Sequence, residues 1–177
     1  LVGLLPEGKR NFEDVWDIQF WGEAVFFRTN RVVFQYTGHE IKTYEPGGEL
    51  TAMFATAQGL LLQQDFTNLL SFGNAGFSPF LNSSDLKSAL TGAVPWQGDT
   101  ILFASLKNGL FYRAGDHFGL WKTPYDALFQ EKRIYSATAL PHFQLALGTS
   151  LGGMMVLDQA RRIACHLTKK SGLQNNN

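Results

Sequence analysis

The chain has 177 residues, 45% hydrophobic and 14% aromatic, with 15 Phe, 18 Gly and only 6 Pro, the balance of a turn-rich β domain with a sizeable core. Fifteen basic and fifteen acidic residues cancel to a formal net charge of zero, and nothing in their order forms the basic stripe that nucleic acid or an anionic membrane surface would require. No apolar run approaches the roughly 18 residues of a membrane span, the opening LVGLLPEGKR lacks the order of a signal peptide, and the lone Cys165 rules out an internal disulfide.

Along the chain, short apolar runs bounded by Gly, Pro, Asp and Asn succeed one another, too short for helices and suited to strands. Val15–Phe20 is the first, followed by VFFRTNRVVFQYTGHEIKTY from Val25. Leu50–Ala55 leads into LLLQQDFTNLLSFGNAGFSPF from Leu60, where Gly73-Asn74-Ala75-Gly76 signals a hairpin. A long polar connector is expected over Leu81–Gly92, and it carries the Ser84-x-x-Lys87 pair. The weak run Ala93–Trp96 precedes ILFASLKNGLFYRAGDHFGLW from Ile101. Thr123 and Pro124 then predict an N-cap and a first helical position for a short helix over Tyr125–Lys132. Ile134–Leu140 precedes LALGTSLGGMMVLDQARRIACHL from Leu145, whose last run alternates Ile163, Cys165 and Leu167 with Arg162, Ala164 and His166.

These segments are repeats. Each reads apolar strand, polar elbow, apolar strand, turn, strand, with the elbows at Thr29, Gln64, Ser105 and Thr149, spaced 35, 41 and 44 residues apart. Propeller blades recur at about 40–50 residues, so the later intervals fit and the first is short. The expected fold is all-β and propeller-like, about four blades of four antiparallel strands over approximately 12–46, 49–81, 92–122 and 134–168, in a single partial propeller. Gly109 and Gly153 share a repeat position that favours positive φ, with Leu69 and Val33 as their counterparts in elbows of another build.

The last third of the chain resembles the two-component regulator propeller repeat family. Gly148-Thr149, Gly152-Gly153, Leu157-Asp158 and Gly172-Leu173 with Asn175 carry the likeness; Phe103-Ala104-Ser105 and Asn108-Gly109-Leu110-Phe111 carry it more loosely, with Ser105 where the family favours Thr. The resemblance implies a sensor-region propeller of a bacterial hybrid two-component system, periplasmic in location, without a cofactor, with an oligosaccharide or other small polar ligand. It also implies further blades and signalling domains of a parent chain as partners, and leaves room for a dimer there. Asn175-Asn176-Asn177 falls where the family repeat would begin its next inner strand, so the sequence reads as cut from a longer one.

Other chemistry is thinly supported. The Ser84–Lys87 pair lacks the companion motifs of acyl-transferring enzymes and reads as chance. His39, His117, His142 and His166 show no metal-ligand spacing, and Cys165 reads as a buried, inert thiol. The acids Glu13, Asp14, Asp17, Glu23, Glu40, Glu45 and Glu49 read as surface charge. Trp16, Trp96 and Trp121 are expected in packing, with Trp21 the exposed exception that could stack on a sugar. The leading expectation is a non-enzymatic sensory module; a polysaccharide lyase or hydrolase and a protein-binding scaffold are the alternatives. Recognition in a propeller falls to the loops of one face, which singles out Arg31, Asp65, Lys107 and Asn108, on the same side of their blades as Lys87 and Lys132.

Overall fold

A computed structural model of the chain describes residues 3, 5, 7–12 and 14–176. Glu13 and Asn177, and Leu1, Val2, Leu4 and Pro6 of the opening segment, lie outside the described residues. The chain divides into two units, Leu1–Asp85 and Leu86–Asn177, and each holds two four-stranded antiparallel meanders in which strand order follows chain order. In the first unit these are β1 (Asp17–Trp21), β2 (Ala24–Arg28), β3 (Val33–Tyr36) and β4 (Ile41–Tyr44), then β5 (Leu50–Thr56), β6 (Gly59–Gln64), β7 (Asn68–Gly73) and β8 (Gly76–Asn82). In the second they are β9 (Leu90–Pro95), β10 (Ile101–Ser105), β11 (Gly109–Ala114) and β12 (His117–Leu120). After the helix α1 (Asp126–Lys132) come β13 (Ile134–Leu140), β14 (Gln144–Thr149), β15 (Gly153–Leu157) and β16 (Ile163–Leu167). Four such meanders are the four expected blades.

Continuous apolar runs become strands covered on both faces: β10 is buried throughout and β6 along all but its last residue. In the first unit Ala24, Phe26 and Val33 pack on Leu50, Met53, Leu60, Leu62 and Leu70. The ring of Phe72 gathers this core, 4.9 Å from Phe26, 5.2 Å from Tyr44 and 5.1 Å from Phe77. In the second unit Leu102, Ala104 and Leu110 meet Leu145, Leu147, Met155 and Leu157, with Phe129 of α1 buried among them.

Several expectations are corrected. In β1, Asp17, Gln19 and Trp21 turn toward the second sheet, while Trp16, expected in packing, is 64% exposed beside Ile18 and Phe20 at 55% and 74%. Trp21 therefore packs, its ring 5.8 Å from Phe72, and Trp16 is the exposed one. Polar side chains can occupy the inner face because the neighbouring backbone satisfies them. Asp17 accepts from the Nε of Arg28 at 2.5 Å and from the backbone N–H of Met53 at 3.0 Å, so it is no ordinary surface charge.

Cys165 is exposed. It lies on the outermost strand of its sheet, paired with β15 on one side only, and strand alternation buries a residue only where something covers the face. The connector between β8 and β9 spans only 83–89, because the strand expected at Ala93 begins at Leu90. The helix begins at Asp126, with Tyr125 as N-cap. Thr123 donates from both its N–H and its hydroxyl to the Asp126 carboxylate, and Pro124 lies ahead of the helix. The hairpin at Gly73–Gly76 forms as expected, those two glycines being partners in the β7–β8 ladder.

Candidate functional site

The elbows between second and third strands are set by local hydrogen bonds. Thr29 Oγ1 accepts from the N–H of Val32 at 2.9 Å and of Arg31 at 3.2 Å, which lifts Arg31 to the tip. Thr149 Oγ1 accepts from Gly152 N–H and donates to Gly153 O, each at 2.9 Å, and Ser105 Oγ accepts from Asn108 N–H at 3.3 Å. Gly109 and Gly153 close the equivalent pairs Ser105↔Gly109 and Thr149↔Gly153 with φ of 82° and 78°. The ladder places Asn68, not Leu69, at that position in the second blade. There the chain turns earlier, through Asp65 and Phe66 at φ 50° and 61°. One bond recurs beside the elbow: Asp65 N–H to Glu49 O, Leu106 N–H to Ala89 O and Ser150 N–H to Arg133 O, 2.8 to 3.0 Å. It ties the elbows of the second, third and fourth blades to the chain arriving at each blade, so elbows and connectors share one end of the blade.

At that end of the first blade a cleft of about 820 Å³ opens, lined by Asn11, Phe12, Arg31, Glu45 and Glu49 among others. The Phe12 ring lies 5.0 Å from Phe34 and supplies an apolar wall. The opposite wall is the Pro46–Glu49 turn, with Gly47 and Gly48 at φ 87° and 62°. Its position is held from behind: Gln64 Nε2 donates to Gly47 O at 2.7 Å, and Asp65 Oδ1 accepts from Glu49 N–H at 2.8 Å. A Cβ on Gly48 would collide with the Asp65 carboxylate, so only glycine lets the turn approach it.

The four residues singled out from sequence are thereby sorted. Arg31 lines the cleft and is exposed. Asp65 buttresses the cleft's turn without lining it. Asn108 is tied into its own unit, its Nδ2 donating to Leu86 O at 2.5 Å. Lys107 is exposed at the same elbow; Lys87 and Lys132 lie on the connectors of that unit. Glu45 and Glu49, read from sequence as surface charge, line the cleft with Asn11 and Phe12, which the sequence reading did not single out; the four come from separate turns and share no spacing, and the Gly47-Gly48 pair was the available signal. His39 and His142 sit in strand-to-strand turns at the opposite ends of their blades, His117 opens β12 at that same end, and His166 bonds Gly152 O at 2.7 Å. Among the described residues no three of His, Cys, Asp and Glu gather as a metal-binding group. No described helix is long and apolar enough to cross a membrane.

No family model matches this sequence, and no curated protein matches it. Solved structures do. The chain is similar to virginiamycin B lyase from Staphylococcus aureus, with a TM-score of 0.68 at 14% identity, covering 84% of this chain and 54% of that one. It is similar to the extracellular domain of a hybrid two-component system from B. thetaiotaomicron, with a TM-score of 0.65 at 16% identity over 92% of this chain and 23% of that one. The WD40 domain of Neurospora crassa Pan2 aligns with a TM-score of 0.62 at 13% identity, over 85% and 48%. At such identities the likeness establishes the fold, and the chain is part of a β-propeller, with four blades among its described residues. It spans about half the length of the virginiamycin B lyases it resembles.

Proposed function

We propose that this chain is a non-enzymatic, ligand-binding propeller module of a bacterial two-component signalling protein, working in the periplasm and taking an oligosaccharide fragment at the elbow end of its first blade. The observation that carries this reading is the cleft around Arg31. A guanidinium, two carboxylates and two asparagines line it beside two phenyl rings, a mixture suited to a ring that is apolar on its face and hydroxylated at its rim. The repeat pattern Gly148-Thr149 through Asn175 supports the signalling context, as does the likeness to a two-component extracellular domain.

A second reading, an enzyme acting on polysaccharides, is favoured by Glu45 and Glu49 sharing the cleft, since glycosidic cleavage commonly uses two carboxyl groups. One experiment separates the two. Oligosaccharides of mixed linkage are titrated calorimetrically into the chain and its Arg31→Ala and Lys107→Ala variants, and the same samples are analysed for cleavage. The expected result is saturable binding without product, weakened about tenfold, or 1.4 kcal/mol, by Arg31→Ala. Lys107→Ala, outside the cleft, leaves affinity within about twofold, less than 0.5 kcal/mol. Unchanged affinity in a folded Arg31→Ala variant removes the site; product that disappears in Glu45→Gln establishes the enzyme.

A further inference from the structure

The Pro46–Glu49 turn carries two glycines at positive φ, Gly47 and Gly48, so its backbone is free to move and its place must be imposed from outside. Two elbows impose it. On one side the Leu50 N–H donates to Asn30 O at 2.8 Å, which ties the end of the turn to the first-blade elbow beside Arg31. On the other side Asp65 of the second-blade elbow grips Glu49 twice. Its N–H donates to Glu49 O and its Oδ1 accepts from Glu49 N–H, each at 2.8 Å. Gln64 Nε2 adds bonds to Gly47 O at 2.7 Å and Pro46 O at 3.2 Å. The backbone half of this grip recurs at Leu106 and Ser150. The side-chain half does not: Leu106 has no side-chain acceptor, and the Arg133 N–H bonds Phe129 O instead of Ser150.

These two clamps leave opposite charges close to one another and unjoined. Arg31 and Glu49 flank the residues of the Asn30–Leu50 bond, both are exposed, and both line the cleft. Among the described residues neither side chain forms an ion pair. We propose, resting on the ligand site assigned above, that Asp65 is a positioning residue which holds Glu49 back from Arg31 and so keeps both side chains available to the ligand. Without the Asp65 carboxylate the Gly47-Gly48 turn relaxes toward the first elbow, the Glu49 carboxylate pairs with the Arg31 guanidinium, and the cleft closes on itself. An exposed pair of this kind is worth at most about fivefold in an equilibrium, which sets the size of the effect. The closure is electrostatic, so salt that screens the two charges reverses it.

Arg31 reports on this without any ligand. Its modification by phenylglyoxal, which attacks a free guanidinium, is followed at that residue by peptide mass spectrometry on the full chain, with circular dichroism as the check on folding. Asp65→Gly removes the carboxylate and suits the backbone φ of 50° at this position. At low salt it is expected to slow Arg31 labelling about threefold relative to wild type. The difference is expected to vanish at about 1 M salt and in the double variant Asp65→Gly, Glu49→Gln. Asp65→Asn, which keeps the acceptor oxygen, is expected to restore the wild-type rate. Gln64→Ala releases the other anchor of the turn and is expected to slow labelling too, which decides the matter should Asp65→Gly not fold. In calorimetry with the same oligosaccharides, Asp65→Gly is expected to bind about threefold more weakly, and Asp65→Asn to recover the loss. Unchanged Arg31 labelling in folded Asp65→Gly, or slowing that neither Glu49→Gln nor salt relieves, overturns the positioning role. A wild type that binds no oligosaccharide while the labelling order holds overturns the ligand reading and upholds the role of Asp65.

Discussion

In the first unit the innermost strands of adjacent sheets are joined through side chains; in the second the equivalent strands nearly touch. Asp17 pairs with Arg28 in its ladder, and the same ladder position in the third blade is Gly92 opposite Ala104. Arg28, 5% exposed, donates from Nε to Asp17 and from Nη1 to Leu50 O at 2.5 Å. Gln19 Nε2 donates to Met53 O at 3.0 Å, and its Oε1 accepts from Ala55 N–H at 3.3 Å. In the second unit a Cβ on Gly92 would lie 2.9 Å from the Cβ of Ala137, and the polar link is Thr91 Oγ1 donating to Ile134 O at 3.0 Å. One repeat position thus accepts either a polar spacer that satisfies the neighbouring backbone or the absence of any side chain. The fold requires only that the gap be filled or closed.

The comparison extends to the elbows, and the largest expected effect lies there. Gly153 has φ 78°, and a Cβ on it would run into the Leu167 carbonyl oxygen, so Gly153→Val should destabilise by about 4 kcal/mol, read from the denaturant midpoint. A loss below about 1 kcal/mol would show that the second unit does not depend on this glycine. In the first unit, Asp17→Ala strands the buried Arg28 guanidinium and should cost about 3 kcal/mol. The Met53 amide, deprived of its acceptor, should exchange faster with solvent. The double variant Asp17→Leu, Arg28→Met should recover much of that loss; if it costs the sum of the single changes, the pair is not acting as a unit.

Smaller effects sharpen the contrast. Gly92→Ala should cost about 1.5 kcal/mol through overpacking, and adding Ala137→Gly should return most of it, whereas an equal loss in the double variant would rule out steric approach as the cause. Gln19→Ala should cost about 1 kcal/mol, since two backbone groups of β5 lose their partners, with no effect on β9 or β13 by hydrogen exchange.

Much of this organisation was legible before any coordinates. Periodicity and turn residues delimit the four blades because strand formation is local: Gly73–Gly76 can only turn, and runs such as LLLQQ and ILFAS are consistent with strands buried on both faces. Gly109 and Gly153 were recognisable because a positive φ selects glycine at one fixed repeat position. What alternation could not supply was direction. It identifies two faces of β1 and leaves open which of them is covered. The neighbouring sheet decides that, by offering Met53 and Ala55 backbone groups to Asp17 and Gln19. The same holds for Cys165, whose exposure follows from its place on an outermost strand, and for the cleft. There Arg31, Glu45 and Glu49 meet because two glycines let a connector approach the Asp65 carboxylate. Local sequence determined which residues form strands and turns, since those depend on neighbours in the chain. Tertiary structure decided which faces are covered and which turns converge, since those depend on residues tens of positions away.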